Sequence, residues 1–248
     1  GTSSPYRAAA ACGPEPYPSR SGGLMPSPFA QSASTLIGMG YSPMPIAPRC
    51  EPLFEGHHPP TGKEPGRFEI DRNGEPVWYR LKGWNAFCKR QAHPATIAYW
   101  STWSDAGICV ATGFNNLIAV DIDDDDLVAP ILAALPPVMV AKRGRYGQTV
   151  FMRTVAPMAS TPYDGPDVRL LDFLAGGRQT VLPPTIHPDL GRPYEWTTER
   201  TLLDTPLEAL PLFTDAHHAA MEEVLRQHGW NSPEPPQPHR EIVARPVR

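Results

Sequence analysis

The pattern of apolar and polar positions changes character along the chain. Between residues 108 and 196 it is made of short apolar runs with alternating character, the period of β-strands; helical spacing is found mainly before and after. The clearest run is Asn116-Leu117-Ile118-Ala119-Val120-Asp121-Ile122-Asp123. As a strand it places Leu117, Ala119, Asp121 and Asp123 on one face and Ile118, Val120 and Ile122 on the other. Further strands are expected at 108–111 and 194–196, with a hairpin over 138–153. A second hairpin is expected to join 168–174 to 178–182 through Gly176-Gly177. Upstream, 41–46 reads as an edge strand because of its prolines. Residues 67–70 and 76–79 read as a hairpin around Asp71-Arg72-Asn73-Gly74. Helices are expected at 29–38 (ending at Gly38), from Trp84 to Arg90, from Pro94 to Trp103 with Ile97, Trp100 and Trp103 inward, and at 127–135. A last helix runs to about His228, capped by Thr214 or Asp215. Strands clustered between helices predict an α+β fold with a mixed sheet rather than a doubly wound parallel one.

Composition divides the chain. The 32 prolines among 248 residues crowd the two ends. Residues 1–28 therefore read as a flexible Pro/Ala/Gly/Ser-rich segment, 29–213 as the folded domain, 214–230 as a C-terminal helix and 231–248 as a Pro-rich linker tail. Such a tail suggests a piece of a longer protein. No apolar run approaches the roughly 20 residues of a membrane span. The four cysteines, Cys12, Cys50, Cys88 and Cys109, form no CxxC pair, so the sequence predicts free thiols in a reducing cytoplasm rather than a zinc site. A formal net charge of −4 argues against a protein that coats nucleic acid indiscriminately. It leaves room for one local basic groove.

The acidic strand carries the first candidate chemistry. Asp121 and Asp123 leave its end side by side, roughly 6 to 7 Å apart at Cα. Two like charges at that distance call for a cation, and oxygen donors suit Mg²⁺ or Mn²⁺. Asp172 is the candidate third ligand: it stands on the apolar face of its strand with Val168, Leu170 and Leu174. The competing reading pairs it with Arg169 or Arg178. Asp124, Asp125 and Asp126 read instead as the opening of the next helix, where carboxylates meet the positive helix end.

Opposing charge lies nearby. Lys142, Arg143, Arg145 and Arg153 put four cations within 12 residues, around glycines that let a ligand approach the backbone. Carboxylate-held metal facing fixed cations is how proteins hold a nucleoside triphosphate.

With these segments in order, the chain resembles the bifunctional DNA primase/polymerase (prim-pol) domain of the archaeo-eukaryotic primase superfamily. Ala111-Thr112-Gly113, then Asn116, then Val120-Asp121-Ile122-Asp123 is similar to the family's DxD strand. Leu171-Asp172-Phe173 looks like its third acidic motif. Gln179-Thr180-Val181-Leu182-Pro183-Pro184-Thr185-Ile186-His187-Pro188 and Gly191-Arg192-Pro193-Tyr194-Glu195-Trp196 look like the block that follows. The resemblance implies two subdomains, a sheet related to the RNA-recognition fold and an active site in the cleft between them. It implies two-metal nucleotidyl transfer on a single-stranded DNA template, from NTP or dNTP to a primer 3′-hydroxyl or an initiating nucleotide. Asp121, Asp123 and Asp172 match the metal-binding carboxylates and His187 the histidine near the nucleotide. Lys142, Arg143, Arg145, Thr149, Arg178 and Gln179 are candidate nucleotide contacts. Thr149 stands where many members carry a histidine, so a charge from Lys142, Arg143 or Arg145 is expected to take over there. A helicase domain in the same longer chain or replicon, of phage or plasmid origin, is implied as a partner.

Two other classes use the same residues. A metal-dependent phosphohydrolase or nuclease would hydrolyse without a template. A non-catalytic DNA-binding module fused to a helicase would bind DNA regardless of Mg²⁺.

Overall fold

The computed structural model describes residues 25–53 and 58–231. Most of the N-terminal segment that the sequence reading takes as flexible, and of the Pro-rich tail, with Cys12, lies outside the described residues. The first helix, α1 (Pro28–Gly38), starts at Ser27, whose hydroxyl accepts from Ala30 N–H. It ends at Gly38, as the sequence suggests. Gly40, at φ +90°, is the left-handed closing residue, and Tyr41 N–H reaches back to Leu36 C=O at 2.9 Å. Then follow β1 (Pro43–Ile46), the hairpin β2 (Gly66–Ile70) and β3 (Pro76–Arg80), a 3₁₀ turn at Trp84–Cys88, and α2 (Pro94–Trp100). The second half holds β4 (Gly107–Ala111), β5 (Leu117–Ile122), α3 (Asp125–Ala134), β6 (Val140–Arg143), β7 (Gln148–Arg153), β8 (Thr161–Asp164), β9 (Arg169–Leu174), β10 (Gln179–Leu182), β11 (Glu195–Trp196) and α4 (Asp215–Gln227).

Two sheets matter for the site. One has the order β1-β4-β10, the other β11-β6-β7-β5-β9-β8. Every ladder between these strands is antiparallel, which corrects the expectation of a mixed sheet. β1 is the proline-bearing edge strand, as its composition requires.

The alternation in β5 sets the layers. Leu117 and Ala119 pack with Phe151 and Val140 against Ile108, Val110 and Leu182 of the smaller sheet, with Phe29 and Leu36 of α1 in the same core. Ile118, Val120 and Ile122 face the opposite way, onto Leu127 and Ile131 of α3 and Met221 and Leu225 of α4. Asp121 continues the first of these faces. The layer between the sheets is thus apolar at one end of β5 and opens into a polar cleft at the other. Trp78, Trp100 and Trp103 are buried in the first core and Trp230 in the second, so these rings serve packing.

One expected hairpin does not form. β9 pairs with β5 and with β8, a short strand the sequence reading missed, while β10 leaves for the smaller sheet and pairs with β4. The crossing is anchored beside the β4–β5 connection. Thr112 Oγ1 donates to Ala175 C=O at 2.6 Å and Thr112 N–H to Arg178 C=O at 2.9 Å. A Cβ on Gly113, already at φ +84°, would lie 2.7 Å from Gly176 Cα. Both changes of sheet therefore happen at one glycine contact, which sets Gln179 of β10 across from the acidic end of β5.

Cys88 and Cys109 are free and buried, but Cys50 is disulfide-bonded, which corrects the expectation of four free thiols. Spacing along the chain carries no information about which thiols meet in space. Among the described residues no helix is long and apolar enough to cross a membrane.

Candidate active site

Register builds the site. Asp121 of β5 stands directly opposite Asp172 of β9 on one side and Thr149 of β7 on the other. Thr149 in turn stands opposite Lys142 of β6. Cross-strand neighbours lie about 4.5–5.5 Å apart. Four strands thus present one row, Lys142–Thr149–Asp121–Asp172, on the face turned to the smaller sheet. The row is hydrogen-bonded: Lys142 Nζ donates to Thr149 Oγ1 at 2.9 Å, and that hydroxyl donates to Asp121 Oδ1. Lys142 and Thr149 are both buried, and the ammonium lies 5.1 Å from the centre of the Tyr194 ring.

The row opens into a cavity of about 400 Å³, within the range of small-molecule sites. Its walls bring together Asp121, Asp123, Lys142, Arg145, Thr149, Gln179 and His187 of the sequence-derived candidates. Three candidates are not on its lining. Asp172, next to Asp121 in register, is turned to Arg169, which bridges it to Asp164. Arg143 follows Lys142 on the strand, so it faces the other way and pairs with Asp125 at 2.8 Å. Arg178 is exposed just before β10. Asp124 caps α3 by accepting from Asp126 N–H at 3.0 Å, as its helix-opening reading requires.

The cavity also holds residues that sequence reasoning missed: Lys63, Asp189 and Tyr146. Asp189 lies two places beyond His187, inside the segment already singled out. Lys63 comes from an irregular stretch without periodicity, so no pattern marks it. Gln179 donates from Nε2 to Lys63 C=O at 2.8 Å, and its buried Oε1 has no hydrogen-bond partner among the described residues.

Electrostatics polarise the cleft. Lys142 is pulled below its usual value by burial, against the opposing influence of Asp121 and Asp123. His187 is lowered by burial and by Lys63, with Arg145 and Lys142 adding to it. Its Nδ1 accepts from Asp189 N–H at 3.2 Å, so the neutral ring carries its proton on Nε2 and can donate from there. The ring lies 5.0 Å from that of Tyr194, so packing on this tyrosine and a place in the cavity coexist.

Asp123 is pushed up to about 6, by lost hydration and then by the charges of Asp121 and Asp172. Because the residue stays exposed, the two like charges are the cause we weigh more. The consequence for metal-free protein has a definite sign. The folded chain keeps a proton on Asp123 up to about pH 6, whereas the unfolded carboxyl releases it near 3.8. This site therefore lowers stability as pH rises through that window. Thermal melts in EDTA between those limits should show the slope, and Asp123→Asn should flatten it.

The donor set fits a hard divalent cation: three carboxylates on one face, crowded enough to raise one of them. Among the described residues no three His, Cys, Asp or Glu side chains converge into a coordination geometry, and Asp172 has to leave Arg169 before it can join the other two.

Residues 33–213 match the sequence model of a known family, described as bifunctional DNA primase/polymerase, N-terminal. A search of curated proteins finds no match.

Proposed function

Since the chain belongs to the bifunctional DNA primase/polymerase family, over residues 33–213, we propose that its cleft carries out template-directed nucleotidyl transfer from a nucleoside triphosphate to a hydroxyl. One observation carries the assignment to this cleft: the row Lys142–Thr149–Asp121–Asp172 places a buried cation and two carboxylates in consecutive register across four strands. A metal-bound triphosphate needs this juxtaposition of fixed cation and anion.

Asp121, Asp123 and Asp172 would hold Mg²⁺ or Mn²⁺, which when bound supplies Lewis-acid polarisation of the phosphoryl oxygens and lowers the pKa of the attacking hydroxyl. The chain's own groups do the rest. Thr149 fixes the Asp121 carboxylate through its hydroxyl and orients the Lys142 ammonium with its lone pair. Lys142 and Arg145 neutralise phosphate oxygens. His187 donates from Nε2, and Gln179 offers its unpaired Oε1 as an acceptor. The two sheets facing each other across the cavity are read as the two halves of the family's cleft. Lys142 takes the charge expected at Thr149, because it stands opposite Thr149 in register and donates to its hydroxyl.

The test is incorporation of labelled nucleotide opposite a single-stranded DNA template, with NTPs and dNTPs separately and Mg²⁺ against Mn²⁺. Extension that follows the template sequence is the expected result. Template-independent hydrolysis would transfer the site to a phosphohydrolase. DNA binding indifferent to metal, without incorporation, would make it a binding module.

A further inference from the structure

The nucleotide reading of the cleft leaves Lys63 without a role. Lys63 lines the cavity beside Asp121, Asp123, Lys142 and His187. Its backbone is held from two sides. The segment around it runs antiparallel to the continuation of β1: Ala47 N–H donates to Glu64 C=O at 3.3 Å and Cys50 N–H to Pro60 C=O at 3.2 Å. A Cβ on Gly66 would lie 2.4 Å from that of Ala47, so the two segments touch. From the opposite side Gln179 of β10 donates to Lys63 C=O.

The side chain is held far less firmly. Lys63 Nζ lies 3.4 Å from Asp189 Oδ2, while the other oxygen of Asp189 accepts from Arg49 at 2.9 Å. The Lys63 and Asp189 side chains are 48% and 37% exposed, and pairs of that kind contribute little and exchange readily. Lys63 shares the cavity lining with Asp123, Lys142 and His187, and its charge acts on all three. A carboxylate shared between two cations is weak competition for an oligophosphate that carries several charges and more acceptor oxygens.

We propose that Lys63 is a phosphate-binding residue of this cleft, held by Asp189 until the oligophosphate of a nucleotide takes that carboxylate's place. The proposal rests on the nucleotide reading above. It differs from a structural clasp between the Lys63 and His187 segments in the sign of one effect. If the pair were a clasp, removing either partner would loosen the wall equally. If Lys63 is a phosphate ligand, removing Asp189 frees it.

The experiment is equilibrium binding of a fluorescent nucleoside triphosphate to the full chain with Mg²⁺ and without template, with the corresponding monophosphate as a control. K63Q is expected to weaken triphosphate binding roughly tenfold or more, the scale of a lost charged hydrogen bond, and to change monophosphate binding by less than about twofold. K63R should retain most of the affinity, and D189N should bind the triphosphate as tightly as the unaltered chain or more tightly. Thermal melts on each variant separate folding defects from binding. Triphosphate binding by K63Q equal to that of the unaltered chain would overturn the assignment, as would equal weakening by K63Q and D189N. An unaltered chain that binds no nucleotide would instead overturn the reading of the cleft itself.

Discussion

Replacing Asp121 and Asp123 together by asparagine is expected to abolish template-directed incorporation, whereas Asp123→Asn alone is expected to do so while raising the melting temperature of the metal-free protein. The activity loss follows from the row they occupy. Without these carboxylates only Asp172, engaged by Arg169, remains in the row to anchor the cation that a triphosphate brings. Several kcal/mol of transition-state stabilisation go with it, so the rate should fall by at least about a thousandfold. The stability gain follows from the same site: Asp123 is raised to about 6 by lost hydration and by the like charges of Asp121 and Asp172. Asparagine at 123 keeps the shape and removes the repulsion, so D123N is expected to be folded, more stable and inactive, whereas D121N also takes a counter-charge from the buried Lys142. Near-normal incorporation by D121N/D123N would remove the site from this cleft. An inactive D123N that also melts lower would show that this carboxylate serves the fold.

The second large effect concerns the other end of the row. Lys142→Met and Thr149→Val should both impair nucleotide use, yet move stability in opposite directions. Lys142 is buried, and among the described residues the only hydrogen-bond partner of its ammonium is the Thr149 hydroxyl, with the Tyr194 ring alongside. Methionine fills a similar volume without a desolvated charge, and such exchanges are often neutral or stabilising. Valine at 149 does the reverse. It leaves the buried Lys142 ammonium and one oxygen of Asp121 without the hydroxyl that joins them, at a cost of about 1–3 kcal/mol. Denaturant titration should therefore rank K142M at or above the unaltered protein and T149V below it. In steady-state assays K142M should raise KM for the nucleotide roughly ten- to a hundredfold, the scale of a lost charged hydrogen bond to phosphate. K142M that leaves KM unchanged would take the phosphate role away from this lysine.

Much of this was readable from local rules. Period-2 alternation assigned both faces of β5 and put Asp121 with Leu117 and Ala119, which is how the two cores divide them. The run Asp124-Asp125-Asp126 reads as a helix opening, and Asp124 does cap α3. The same alternation, applied within the basic hairpin, separates Lys142 from Arg143. Treating the four cations as one cluster hid this, and Arg143 turns out to pair with Asp125. β8 escaped because Thr161-Pro162-Tyr163-Asp164 carries a proline and little apolar contrast, so only its pairing with β9 makes it a strand.

The sequence by itself determined which residue types stand on which face of each strand, since alternation follows from backbone geometry alone. It thereby determined that Asp121 and Asp123 share a face. What lies opposite them was decided by tertiary structure. Register between strands is long-range: that Asp121 meets Thr149 and Asp172, and that Thr149 meets Lys142, depends on how β6, β7 and β9 align in one sheet. The crossing at Gly113 and Gly176 sent β10 to the other sheet and carried Gln179 and His187 to the far wall. Lys63 arrived there from a stretch with no periodic signal, held by backbone hydrogen bonds to distant segments. Side-chain chemistry is written locally, but a site is a set of distances, and these were set only when separate segments packed.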